Sequence, residues 1–214
     1  MTPQDALERG AQQLGLDLAE DAREQLLAYV SLMAKWNKTY NLTAVRDPLA
    51  MVSHHLLDSL AVLPHLPMRA NAPLADVGSG GGLPGIPIAI ARRDWRVVLV
   101  EASQKKAAFL RQATIELDLR NASVHEGRVE RWQPAERFAV VISRAFARLA
   151  QFARACAHLV ASGGCLVAMK GALRENELAE LADWQCTSIE LNVPSLDAAR
   201  RLVLCRQLPR VATT

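Results

Sequence analysis

No run of eighteen or so apolar residues occurs in this chain, so no membrane span is expected. The opening "MTPQDALERG" lacks the basic flank and apolar core of a signal peptide. No polybasic tail, internal repeat or low-complexity segment is present, and 25 basic residues nearly balance 22 acidic ones for a net charge of +3. Four cysteines, Cys156, Cys165, Cys186 and Cys205, lie far apart and form no C-x-x-C pair, which speaks against a zinc site or a redox motif. Three of them sit among apolar neighbours and read as small core residues. These absences together point to the reducing cytoplasm.

What remains is ordinary for a globular protein: half the residues are hydrophobic and 22% are charged. A chain of 214 residues suits one large domain, or one domain with an appendage, and buries a sizeable core without staples. Arginine greatly outnumbers lysine, which suits bidentate phosphate contacts, although codon usage alone explains a bias of this kind.

Residues 1–65 read as a helical extension. Thr2 is placed to cap "TPQDALERGAQQL", with Pro3 in its first turn and Asp5 near its positive end. Leu26, Leu27, Val30, Met33 and Ala34 recur at helical spacing in a second segment. Asp47-Pro48 starts a third, as an N-cap followed by proline. A proline-rich stretch then links to residues 72–214, where the texture changes. "PLADVG", "RVVLVE", "ASVHEG", "FAVVIS" and "GGCLVAMKG" are short apolar runs separated by helical stretches, the pattern of a parallel sheet covered on both faces. "WQCTSIELNV" and "RRLVLCRQL" follow without a long helix between them, as a hairpin at the sheet edge. The fold class is therefore α/β, a Rossmann-like sheet with an N-terminal helical extension.

"DVGSGGGLPGIPIAI", residues 76–90, follows the first strand and opens a helix. At the first strand-to-helix turn of a doubly wound sheet, glycines permit a tight turn and let a ligand approach bare backbone. The next strand ends in Glu101, where a carboxylate can accept both hydroxyls of an adenosine ribose. Gly78, Gly80 and Gly82 fit G-x-G-x-G preceded by Asp76, a form typical of S-adenosylmethionine sites, and a loose G-x-G-x-x-x-x-G can also be read. Asp76 suits the ammonium group of that cofactor and would repel the pyrophosphate of a dinucleotide. The alternative is a glycine turn used only for packing.

"NLTAV", "HHLLDSL", "DVGSGGGLPGIPIAI", "RVE", "ISRAF" and "MKG" occur in this order. Over Lys35 to Gly171 the chain resembles the bacterial 16S ribosomal RNA guanine-N7 methyltransferases, also called the glucose-inhibited division B family. The resemblance implies a class I S-adenosylmethionine-dependent fold and methyl transfer to N7 of a single guanine, position 527, in 16S ribosomal RNA of the small subunit. It implies that Gly78 and Leu83 contact the cofactor, that Val129 and Glu130 lie beside the adenine, and that Arg144 is a cofactor-site arginine. Ser79 and Gly81 stand where many relatives carry threonine and proline, small changes a glycine loop absorbs. The expected partner is 16S ribosomal RNA or the small ribosomal subunit, with the protein acting as a monomer and away from membranes.

Guanine N7 has its own lone pair, so no general base is needed, and no metal is suggested. Arg144 and Lys170 end strands on the ligand side and are the candidate catalytic residues, able to hold guanine O6 or flanking phosphates. The plainer readings are an ion pair of Arg144 with Asp76 or Glu101, and a surface lysine at 170. His54 and Asp58 are spaced i, i+4 and so share a helix face. His55 or Asp58 is expected to hydrogen-bond the loop or Asn41, and Trp36 to belong to the core. Lys35, Lys38, Arg46, Lys105, Lys106 and Arg111 are further candidates for RNA contact, though each alone reads as an ordinary solvated side chain. A small-molecule methyltransferase, a non-catalytic RNA-binding protein that keeps the fold, and a nicotinamide-dependent dehydrogenase are the competing readings. "NLTAV" and "MKG", the intact loop, and Asp76 respectively weigh against them.

Overall fold

The computed structural model describes residues 1–144, 146, 148–174 and 176–208. Ala145 of "ISRAF" and the part of the second unit beyond residue 208 lie outside the described residues. Helix α1 (Pro3–Gln13) begins at Thr2 with reciprocal bonds, the Asp5 amide to Thr2 Oγ1 at 3.1 Å and the Thr2 amide to Asp5 Oδ2 at 2.8 Å. Helix α2 (Glu20–Tyr40) stops at Asn41, whose φ of 49° is left-handed. Asp47 caps α3 (Pro48–Met51) by accepting the Ala50 amide at 2.9 Å.

The regular third helix expected from the sequence is not continuous. Val52–Leu57 winds as a π-helix before α4 (Asp58–Leu60). The Asp58 amide reaches back five residues to the Ser53 carbonyl, which leaves the His54 carbonyl to accept from Arg144 at 3.3 Å. A side chain entering the helical ladder is a recognised cause of such a break. His54 Nδ1 lies 3.0 Å from the Ala50 carbonyl, and Asp58 is buried.

The strands are β1 (Pro73–Val77), β2 (Arg96–Glu101), β3 (Ala122–Glu126), β4 (Phe138–Ser143), β5 (Val160–Lys170), β6 (Trp184–Leu191) and β7 (Arg200–Gln207). Helices α5 (Gly85–Ala91), α6 (Gln104–Glu116) and α7 (Leu149–Cys156) connect them. Strand order is β3-β2-β1-β4-β5-β7-β6, and β1 to β5 pair in parallel. β7 runs antiparallel between β5 and β6, so the last two strands form the expected edge hairpin. Order reverses between β1 and β4, which opens a crevice at the carboxyl ends of the strands.

Alternation along the strands sorts the core to two faces. Leu74, Leu99, Ile142, Val167 and Leu202 pack with α1, α2, α5 and α6, while Ala75, Val77, Val141, Leu166 and Val203 pack with α7. The N-terminal helices thus share one apolar cluster with a sheet face.

Two cysteines depart from the reading as unlinked core residues. Cys186 and Cys205 stand directly opposite across β6 and β7, their Cα atoms 4.1 Å apart, joined by a disulfide. Antiparallel register brings together residues that sequence separation keeps apart, and no local motif announces it. Cys156 and Cys165 are free and buried, their thiols pushed up by burial to about 12 and about 11.

Candidate active site

The glycine loop is held on every side. The amides of Gly78 and Ser79 donate to the Val100 carbonyl at 2.9 and 3.1 Å. The Gly80 amide donates to Glu101 Oε2 at 2.8 Å, and the Tyr29 hydroxyl donates to the Gly81 carbonyl. Gly78 and Gly80 have φ of 71° and 58°, a conformation side chains resist. Gly85 is required for a different reason: a Cβ there would collide with Leu99 and stand 2.7 Å from Asp76 Oδ2.

Asp76 lies beneath this loop, fully buried. Its Oδ2 accepts the Gly85 amide at 2.9 Å, and its Oδ1 has no hydrogen-bond partner among the described residues. Burial pushes the carboxyl up to about 7, against the Gly85 amide, the nearby Ser79 hydroxyl and the Arg144 charge, which favour ionisation.

Beside the loop is a cleft of about 200 Å³. Gly78, Glu101, Val129 and Glu130 line it together, with Val77, Val100 and Phe146 as apolar walls. Glu101 is 8% exposed, and its Oε1 accepts the Ser103 amide at 2.8 Å. Each carboxylate oxygen has two lone pairs, so one amide on each leaves an acceptor free for a vicinal diol. Gly80, Gly82 and Leu83 are not among the lining residues; Gly82 and Leu83 are buried within the loop.

Arg144 pairs with neither Asp76 nor Glu101. It reaches Asp58 Oδ2 at 3.2 Å, while Arg200 holds Asp58 Oδ1 at 2.9 Å. Asp58 is almost wholly buried, and the two guanidinium-bearing side chains keep 30% and 25% of their surface exposed. One buried carboxylate therefore presents two partly exposed cations at the carboxyl end of the sheet. Sequence reasoning missed Arg200. Nothing in "AARRLV" separates it from Arg201, and only the antiparallel course of β7 brings it beside Asp58. His55 bonds Thr43 Oγ1 at 2.8 Å rather than the loop or Asn41. Burial, with Arg144 adding to it, pushes its imidazole down to about 4, so it is neutral at pH 7.

Lys170 is not a surface lysine. Its side chain is 8% exposed and bonds Glu177, which is 4% exposed and also accepts the amides of Leu149 at 3.0 Å and Arg174 at 3.3 Å. Burial raises the Glu177 carboxyl, but Lys170 and these amides outweigh it and hold the group below its usual range. Removal of one partner from a buried ion pair is costly because the other charge stays desolvated. Glu177→Ala is therefore expected to lower stability by about 3 kcal/mol. The measurement is a urea midpoint, which drops while the slope stays constant.

Of the other candidates, Arg111 is engaged with Glu126. Lys35, Lys38, Arg46 and Lys105 are exposed and Lys106 is half-buried. Trp36 packs against Phe109, ring centres 5.5 Å apart, and stacks on Tyr40 at 5.0 Å. Among the described residues no group of three His, Cys, Asp or Glu could hold a metal ion, and no helix is long and apolar enough to cross a membrane.

Residues 22–204 match a family model described as rRNA small subunit methyltransferase G. The chain is 52% identical over 200 residues to "Ribosomal RNA small subunit methyltransferase G" of Methylobacillus flagellatus, covering 94% of this chain and 96% of that one. It is 48% identical to the protein of the same name from Nitrosospira multiformis, covering 97% and 99%. Among solved structures, an S-adenosylmethionine-dependent methyltransferase from Aquifex aeolicus superposes with a TM-score of 0.58 at 14% identity, covering 81% of this chain and 97% of that one. Precorrin-6y C5,15-methyltransferase from Geobacter metallireducens gives 0.57 at 16% identity, covering 70% and 87%. At these identities the structural likeness speaks for the fold, a class I methyltransferase sheet.

Proposed function

Because the chain belongs to the rRNA small subunit methyltransferase G family, we propose that it transfers a methyl group from S-adenosylmethionine to N7 of guanine 527 in 16S ribosomal RNA. The observation that carries the cofactor assignment is the cleft at the strand-order reversal, with Glu101 fixed at its edge by two amides and an acceptor still free on each oxygen. These residues fit the cofactor. Glu101 would take the ribose hydroxyls, and Val77, Val100, Val129 and Phe146 would enclose the adenine, with Glu130 at its polar edge. Gly78, Gly80, Gly82 and Leu83 would keep the loop open and rigid beside the methionine portion. Asp76 acts from beneath the loop, where its unpartnered Oδ1 supports a role as counter-charge to the ammonium group.

S-adenosylmethionine supplies an already activated sulfonium methyl. Guanine N7 supplies its own lone pair, so the chain need not remove a proton; its task is alignment and exclusion of water. Arg144 and Arg200, held by Asp58, would donate to guanine O6 or to the flanking phosphates, leaving N7 free. Lys170, paired with Glu177, supports this wall from within as a positioning residue. The target base must be unstacked to enter. The site of action is the cytoplasm, where the small subunit is made.

Methyl transfer from labelled S-adenosylmethionine to small subunits from a strain lacking this protein tests the reading. The label is expected on N7 of one guanine, position 527. Cofactor binding with no label in that RNA would overturn the assignment.

A further inference from the structure

We propose that a second, basic groove at the opposite end of the sheet binds the phosphodiester backbone of the RNA that presents the target base. The groove encloses about 880 Å³. Arg137, at the entry to β4, Arg154 on α7 and Arg206 near the end of β7 line it, with His158. No carboxylate is among the described lining residues. Arg92, Arg93, Arg96 and Arg111 each have an acidic partner, but Arg137, Arg154 and Arg206 make no ion pair among the described residues. Three elements thus converge cations on one concavity without neutralising them. His158 is committed to the Trp132 carbonyl at 2.9 Å, and Arg154 Nε to its own helix at 3.3 Å.

The groove wall includes bare backbone. Gly163 has φ of 75° and nothing within 4 Å of where a Cβ would stand, whereas a Cβ on Gly164 would come within 2.8 Å of the Ala139 carbonyl. Guanidinium forks beside open backbone suit phosphate oxygens. β4 and β5 run from this groove to the candidate active site, on the order of 20 Å away. A ligand spanning both sites must be extended and polyanionic, which selects RNA over a small anion. The proposal rests on the ribosomal RNA reading above.

The test is the full chain carrying Arg137→Gln, Arg154→Gln and Arg206→Gln together, assayed on small subunits lacking the methyl group. KM for subunits is expected to rise about tenfold or more, while kcat and the calorimetric Kd for S-adenosylmethionine stay unchanged. The log–log salt dependence of subunit binding is expected to flatten by about 2–3, since each phosphate contact contributes roughly 0.7–0.9 to that slope. Direct binding to the same subunits without methyl donor is measured alongside. A parent that binds subunits but does not methylate them overturns the reaction assignment and leaves the groove standing. A variant that binds as tightly as the parent, with the same salt slope, overturns the groove. Inorganic pyrophosphate bound through these arginines with subunit binding unmoved would make it a small-anion site and also overturn the proposal.

Discussion

Asp76→Asn is expected to stabilise the cofactor-free protein at pH 8 by about 1–3 kcal/mol and to weaken cofactor binding at that pH by about tenfold to a hundredfold. The folded protein keeps a proton on Asp76 up to about pH 7, whereas an unfolded chain releases it near the ordinary carboxyl value. The stability contributed by this raised group is fully present below that ordinary value. It is lost as pH rises through about 7, a fall of about 4 kcal/mol at most. Asparagine carries no such charge and can keep the acceptor for the Gly85 amide. Its amino group takes the place of Oδ1, which has no partner, and that takes back about 1–3 kcal/mol. Urea midpoints across pH 4–8 read the effect: the parent declines as pH rises and the variant does not. An equal decline in both would show that another group is responsible. Binding runs the other way. A cationic ligand favours the ionised carboxylate, so parent affinity rises with pH up to about 7 and levels off, while the variant's affinity is flat.

The second large effect is expected at Asp58. Asp58→Ala removes the one carboxylate shared by Arg144 and Arg200. A fully buried pair broken on one side costs about 3–5 kcal/mol; here both arginines reach solvent, so about 2–3 kcal/mol is expected. The single-turnover rate is expected to fall about a hundredfold, equivalent to about 2.7 kcal/mol of transition-state stabilisation. Cofactor Kd is expected to hold, because Asp58 does not line the cleft beside the glycine loop. Asp58→Asn, which keeps the shape and one acceptor, is expected to be intermediate in both stability and rate. A parallel collapse of cofactor affinity would mean that Asp58 serves the cleft rather than the substrate side.

Features carried by short-range chemistry were legible without coordinates. The Thr2 and Asp47 caps, the glycine loop with Glu101, and the apolar strands of a parallel sheet all follow from residues close together in the chain. Long-range pairing was not legible. Asp58 could be seen on a helix, but its partner Arg200 is 142 residues away and is brought near only by the β5–β7 register. The same holds for Cys186 with Cys205. Lys170 and Glu177 are seven residues apart, yet strand ends are usually solvated, and only the packed chain shows both side chains buried. The π turn coincides with Arg144 reaching the His54 carbonyl, a tertiary contact no helical periodicity encodes.

The loop around Gly78–Gly85 has a kinetic consequence. Val100, Glu101, Tyr29 and Asp76 already hold its amides and carbonyls in place. The conformational entropy of ordering those glycines is spent when the chain folds, not when a ligand arrives. Association with the cleft should therefore follow a single exponential whose rate is proportional to ligand concentration, with no plateau from a slow rearrangement. Differences in affinity among cofactor analogues should appear almost entirely in dissociation.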